Sequence, residues 1–196
     1  MKNFDNVNER VIDDLRQEIK SHSKIKIAAA SFSIYAYEAL KTELEKTDAV
    51  QFLFTSDLFT KEKVPNEKRE FFIPRLNRES QLYRDGFELK IRNELSQKAI
   101  AKEVAEWIEQ KVTFKSNISG KQSDNFMIIN SKNDTNVYLP IDEFTTSELG
   151  VSQGEKLFYN ISKFENENTQ RFMNAFDQVW NNPDYVCLLY TSDAAD

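Results

Sequence analysis

The chain has a single cysteine, Cys187, and a single histidine, His22, in 196 residues. Ahead of Cys187 there is thus no disulfide, no zinc cluster and no thiol nucleophile, as fits a reducing cytoplasm. One imidazole leaves no Cys-His pair, and any Ser-His-Asp triad would have to recruit His22 from a charged helix end. Glycine is also scarce: Gly86, Gly120, Gly150 and Gly154 are scattered, and GxxxxGK[ST] does not occur, so no Walker-type ATP site is expected. No apolar run is long enough to cross a bilayer, and Met1-Lys2-Asn3-Phe4-Asp5 lacks the basic and apolar blocks of a secretory leader. These absences point to a soluble, unexported, cytoplasmic protein. There is no repeat of fixed period and no low-complexity stretch.

What is present describes a globular domain. Charged residues make up 30% and hydrophobic ones 40% of the chain, a balance that supports a packed core. The net charge of −6 is unevenly spread: Lys61 to Lys121 holds 14 Lys and Arg against 10 Asp and Glu. Within that segment Lys68, Arg69, Arg75, Arg78, Arg84, Lys90 and Arg92 are interleaved with Phe71, Phe72, Tyr83 and Phe87. Guanidinium groups bond phosphate in a bidentate way and aromatic faces stack on bases, so one reading is a nucleic-acid surface. The other is a solvated face with internal ion pairs, because Glu67, Glu70, Glu79 and Glu88 lie among the same bases.

Hydrophobic spacing predicts the elements. Asn6 and Glu9 suggest a capping box, and Val7, Val11, Leu15 and Ile19 recur every fourth residue, as in a helix ending near His22. Ile25 to Ala30 and Ala49 to Thr55 read as buried strands, separated by a helix that Ser33 can cap and whose apolar side is Ala36, Tyr37, Leu40 and Leu44. Helix, strand, helix, strand predicts a parallel sheet with helices packed on it. Pro65 and Pro74 interrupt the basic segment, which reads as an extended insertion. Ser96 opens a helix with the stripe Ile100, Val104, Trp107 and Ile108, where Trp107 reads as a core anchor. Val112 to Phe114, Phe126 to Ile129 and Val137 to Ile141 follow as strands joined by polar turns. A last helix from about Asn168 to Asn181 buries Phe172, Phe176, Val179 and Trp180, and Pro183 closes it.

Several blocks resemble a known family. Val7 to Ile12 (VNERVI), Ile27 to Tyr35 (IAAASFSIY), Phe54-Thr55-Ser56, Lys68 to Asn77 (KREFFIPRLN) and Arg92 to Ala101 (RNELSQKAIA) are similar to the phospholipase-D-like domain at the N-terminus of bacterial SNF2/DEAD-type helicases. The resemblance covers nearly all of residues 1–186, and its specificity rests on the two basic blocks. It implies an α/β phospholipase-D-like sandwich with a mostly parallel central sheet flanked by helices. It also implies a helicase or translocase motor downstream, with ATP and Mg bound there and no cofactor in this stretch.

The phospholipase-D superfamily cleaves phosphodiesters without a metal, through a His-x-Lys motif on a late strand. The imidazole attacks phosphorus, and the Lys neutralises the phosphoryl oxygens. By the resemblance, the equivalent stretch is Gln122 to Ile129 (QSDNFMII), where Ser123 takes the histidine position and Asn125 the lysine position. Asp142-Glu143 replaces the family's Ser-Asn pair, ahead of Phe144-Thr145. The site is therefore expected to be degenerate. His22-Ser23-Lys24 spells His-x-Lys, but it precedes the first strand and reads as a solvated histidine at a helix end. Asp142, Glu143 and Glu148 could chelate a divalent cation, although solvated acids on a turn explain them equally well.

The last ten residues, Cys187 to Asp196 (CLLYTSDAAD), resemble a translated sequencing adapter. The expectation is a domain over residues 1–186, a non-native tail over 187–196, and a reading frame interrupted before the motor. The expected role is a non-catalytic accessory module for DNA engagement or assembly. One alternative is an active phospholipase-D-family nuclease completed by a partner chain or a downstream half; another is a protein-interaction module, and a homodimer is left open in each case.

Overall fold

A computed structural model describes residues 2–55, 94–154 and 156–189, with the side chains of residues 94–98 excepted. The basic segment that includes Lys68, Arg69, Arg75, Arg78 and Arg84 lies outside the described residues. Among those described, four helices and eight strands form one mixed α/β unit. The strands are β1 (Lys2–Phe4), β2 (Lys24–Ala29), β3 (Ala49–Phe54), β4 (Val112–Asn117), β5 (Phe126–Asn130), β6 (Thr135–Leu139), β7 (Ile161–Glu165) and β8 (Val186–Leu189). The helices are α1 (Val11–Glu18), α2 (Ile34–Leu44), α3 (Glu94–Lys111) and α4 (Gln170–Trp180). None is long and apolar enough to cross a membrane.

All eight strands join one sheet in the order β1-β7-β6-β5-β2-β3-β4-β8. The expectation of a mostly parallel sheet is corrected: only β2–β3 and β3–β4 are parallel, and the other five neighbouring pairs are antiparallel. The parallel part is the part read from the alternating helices and strands, since parallel neighbours need a long crossover. Beyond β4 the connections change. Ser131 to Asp134 close a short turn, with the Ser131 N–H donating to the Asp134 carbonyl at 2.8 Å, and so short a turn can only return the chain antiparallel.

The sheet is covered on both faces. Ile25, Ile27 and Ala29 of β2, with Phe52 and Phe54 of β3, pack under α1, α2 and α3. Ala28, Leu53, Phe126 and Ile128 point the other way, onto Phe176 and Trp180 of α4. This is the two-residue alternation of strands buried on both sides. Trp107 is buried, its ring 4.7 Å from Tyr37, and its indole N–H donates to the Leu44 carbonyl. Ser33 caps α2 by accepting from the Tyr35 N–H.

Two local expectations give way. Helix α1 begins at Val11 rather than near Val7, because the Asp5 carboxylate accepts from the N–H groups of Val7, Asn8 and Glu9 and holds them in a turn. Val7 is consequently 80% exposed, and the Asn6 side chain instead accepts from the Val11 N–H. Strand β7 was not legible because Lys163 breaks its apolar alternation. That lysine points into the core side and is 4% exposed, with Asp14 and Glu18 of α1 at 2.9 and 3.0 Å. The Tyr138 hydroxyl donates to the same Asp14 carboxylate at 2.7 Å.

This network makes folding pH-dependent at both extremes. Burial raises Asp14, but hydrogen bonds from Tyr138, Lys163 and Lys2 outweigh it and hold the carboxyl below its ordinary value. Burial likewise lowers Lys163, and the bonds to Asp14 and Glu18 overcome it and raise the ammonium. Asp14 thus contributes stability that is present above its unfolded pKa of about 3.9 and lost as pH falls through its lower folded value. Lys163 contributes stability that is present below about 10.4 and lost as pH rises through its higher folded value. The contribution of this network to the melting temperature is expected to be level between these limits and to fall on either side, and Asp14→Asn should flatten the acid limb. Lys163→Met should cost less in denaturant unfolding at neutral pH than the about 3–5 kcal/mol of a fully stranded buried charge, because Asp14 keeps its bonds from Lys2 and Tyr138 and Glu18 keeps that from Asn136.

Candidate polar site

The parallel strands β2 and β3 end at the same edge of the sheet, and open α/β sheets present ligands at such carboxyl ends. Strand β5 runs antiparallel to β2, with Phe126 opposite Ala28, so the residue before β5 arrives at that edge. That residue is Asn125. The chain leaving β6 also reaches it: Pro140 has no N–H for the ladder, the strand stops at Leu139, and the Asp142 carbonyl then accepts from the Ala30 N–H at 2.9 Å. Phe144 and the β2–α2 turn clamp each other, Phe144 N–H to Ser31 carbonyl and Ser33 N–H to Phe144 carbonyl, both at 2.9 Å.

These elements assemble a continuous polar chain. The Thr55 hydroxyl donates to the Asn125 side-chain oxygen at 2.7 Å, and the Asn125 amide faces Asp142 at 3.4 Å. The Lys156 ammonium donates to Asp142 at 2.8 Å and to both Glu148 oxygens at 2.9 and 2.8 Å, which uses all three of its protons. Glu148 also accepts from the Asp142 backbone N–H at 3.1 Å. Glu148 is 3% exposed, so the expectation of solvated acids on a turn is corrected for this residue.

The environment drives the two acids apart. Burial raises the Glu148 carboxyl, and Lys156 only partly offsets it. Burial also acts on Asp142, but there the bond from Lys156 prevails and the carboxyl lies below its ordinary value. Lys156 itself is raised: burial opposes its charge, and the bonds to Asp142 and Glu148 overcome that. Two carboxylates face one ammonium, so the cluster carries a net negative charge when all three are ionised.

Of the residues read as site positions, the structure brings together Asn125, Asp142 and Glu148, and leaves out Ser123 and His22. Ser123 is exposed on the loop before β5, and its hydroxyl bonds the neighbouring Asp124 carbonyl. His22 is exposed, its Nδ1 2.9 Å from Asp48. It precedes β2, whereas Asn125 sits beyond the other end of that strand, about 20 Å away at the usual rise per residue. Thr55, Glu148 and Lys156 complete the chain. Glu148 was visible as one of three clustered acids, but nothing in the spacing marked Lys156 as its partner. Among the described residues no group of His, Cys, Asp and Glu is arranged to hold a metal ion. The cluster does not fit Mg-ATP, because its two acids are already paired with Lys156. A depression of about 410 Å³ lined by Phe164, Glu165, Asn166, Glu167 and Asn168 lies at the opposite end of the sheet.

One buried group in this region stands apart. Ser31 is 4% exposed, and its hydroxyl has no hydrogen-bond partner among the described residues. An unsatisfied buried hydroxyl costs about 1–3 kcal/mol. Ser31→Ala is therefore expected to raise the melting temperature, whereas Thr55→Val, which strands the Asn125 acceptor, should lower stability by about 1–2 kcal/mol. Thermal and denaturant unfolding of the two variants checks both signs. No protein-family model matches the chain, and a comparison with curated proteins finds no match.

Proposed function

We propose that residues 1–186 form a catalytically degenerate phospholipase-D-like module that serves an ATP-dependent DNA helicase or translocase in DNA engagement or assembly. The observation that carries this reading is the composition of the Thr55–Asn125–Asp142–Lys156–Glu148 chain. One member, Asn125, takes the position that the resemblance assigns to the lysine of His-x-Lys, and the chain holds an amide there and no imidazole. A phosphodiester arriving there would meet two carboxylates and an ammonium whose protons are all engaged. Neither a nucleophile nor an oxyanion stabiliser is supplied. The module fits a cytoplasmic protein whose ATP and Mg are bound by the motor downstream, and a homodimer is compatible with it.

In this proposal DNA is contacted by the basic segment, through Lys68, Arg69, Arg75, Arg78 and Arg84. A second reading, a protein-interaction module, is favoured by one observation: Leu157 and Phe158 are 99% and 80% exposed side by side. Contiguous exposed apolar side chains are a mark of protein contact surfaces.

Binding of the full chain to double- and single-stranded DNA at a series of salt concentrations separates the readings. The DNA proposal expects sequence-independent binding that weakens steeply with salt, with the slope reduced by about one unit for each phosphate contact removed. Arg75→Ala with Arg78→Ala should weaken binding and leave the melting temperature unchanged. No binding at low salt would favour the interaction module. DNA cleavage in EDTA, abolished by substitution of Ser123 or Asn125, would overturn the non-catalytic assignment.

A further inference from the structure

The polar chain keeps hydrogen-bonding capacity that no described residue uses, and the order of its groups is fixed. Asp142 can only accept, so the Asn125 amide nitrogen faces it and the Asn125 oxygen faces the Thr55 hydroxyl. That arrangement engages one of the two amide protons. The Asp142 carboxylate has about four lone-pair sites, and its side-chain partners are Asn125 at Oδ1 and Lys156 at Oδ2. Glu148 is buried, and Lys156 spends its protons on the two acids, so the spare capacity lies on Asn125 and Asp142. Both are open to solvent: the Asp142 side chain is 46% exposed and Asn125 is half-buried. Backbone bonds hold the pair in place, Ile141 N–H to the Asn125 carbonyl at 3.1 Å and Ala30 N–H to the Asp142 carbonyl at 2.9 Å. From Asn125 across Asp142 the row therefore presents donor, acceptor, acceptor.

We propose that Asn125 and Asp142 bind the hydrogen-bonding edge of a guanine base. Cytosine offers guanine this same order, through an amino N–H, a ring nitrogen and a carbonyl. In the bound arrangement the Asn125 N–H donates to the guanine carbonyl, and the Asp142 oxygens accept from its ring N–H and its amino group. The inference deepens the proposed DNA role by giving the degenerate site a base to read, and rests on that role only for the source of the base. Other groups fit the row less well. A phosphate would meet no free cation and a net negative cluster. A guanidinium satisfies Asp142 but has no acceptor for Asn125, and adenine turns a ring acceptor toward the carboxylate. Burial opposes ionisation of Asp142, yet the bond from Lys156 holds its carboxyl below the ordinary value, so it stays an acceptor at neutral pH. Hydrogen bonds to an ionised acceptor are the stronger kind, which favours the base with two N–H donors on that side.

Amide NMR of the full chain titrated with deoxyguanosine, deoxyinosine and deoxyadenosine tests the edge directly. Inosine keeps the carbonyl and the ring N–H and lacks only the amino group. Deoxyguanosine is expected to shift the Asn125 side-chain amide saturably and to bind at least about five-fold tighter than deoxyinosine. Asp142→Asn, in which Lys156 keeps Glu148, should abolish that preference with the melting temperature unchanged. The nucleoside series on the wild type stands without the variant. Equal binding of deoxyguanosine and deoxyinosine, no binding of either, or an Asn125 amide that does not respond would overturn the proposal. So would a preference that survives Asp142→Asn. A second arm uses oligothymidylate carrying one guanine or one hypoxanthine. A guanine preference there places the base within a strand, whereas preference for the nucleoside alone assigns a free nucleoside as the source. Oligothymidylate that does not bind at low salt would count against the DNA role, and the nucleoside arm would still decide the guanine edge.

Discussion

Phe32 is where the parts of this structure meet. Its ring stacks on Phe144 at 5.6 Å and on Trp107 at 6.4 Å, and meets Phe52 and Phe114 edge-on at 5.6 and 5.8 Å. One side chain on the turn after β2 thereby touches β3, β4, α3 and the loop that carries the acids. Aromatic pairs in such geometries contribute about 0.5–1.5 kcal/mol each beyond the area they bury. Beside it, the backbone clamp between Ser31, Ser33 and Phe144 fixes the acid-bearing loop against the ends of the parallel strands. The position of Asp142 relative to Asn125 follows from that packing, and the polar chain is a by-product of an apolar cluster.

Two lysines solve the same electrostatic problem at different depths. Lys163 stands on a strand, 4% exposed, between Asp14 and Glu18. Lys156 stands on an irregular segment, 41% exposed, between Asp142 and Glu148. In each, one ammonium meets two acids of which at least one is buried; Asp14 has Lys2 as a second cation, whereas Glu148 depends on Lys156. The rigid strand makes the first arrangement part of the fold. The second stands on irregular backbone between Tyr159, which packs on the core, and the acid-bearing turn, with Leu157 and Phe158 facing outward.

The elements easiest to read were those whose burial matches a simple period. Helices α2 and α3 and strands β2 to β6 follow Leu40, Trp107 and their neighbours closely. Strand direction was harder, because a run such as Phe126 to Ile129 looks alike in parallel and antiparallel sheets, and only the short turn after Asn130 distinguishes them. Strand β7 is masked for a chemical reason, because Lys163 occupies an inward position that periodicity assigns to an apolar residue, and β1 is only three residues long, with Phe4 alone buried. At the site, Asn125 and Asp142 were reachable through the family resemblance. Lys156 was not, since its partners lie 8 and 14 positions away across a turn. Ser123, which the resemblance assigns to a motif position, lies on an exposed loop, so a resemblance to a motif does not by itself place a side chain.

Strand β8 gives the sheet its outer margin beyond β4. Of its four residues, Cys187, Leu188 and Leu189 belong to the stretch that resembles adapter sequence, and they pair with Ser116, Lys115 and Phe114 through backbone groups. A ladder of N–H and C=O groups reads extension, not identity, so almost any short apolar tail could seat there. The pairing is therefore silent about the origin of those residues. Its consequence is colloidal: a continuation that turned away at Val186 would leave the outer edge of β4 bare, and an unpaired edge is a template for another chain. Association of this protein through that edge would then depend on the residues that follow Val186.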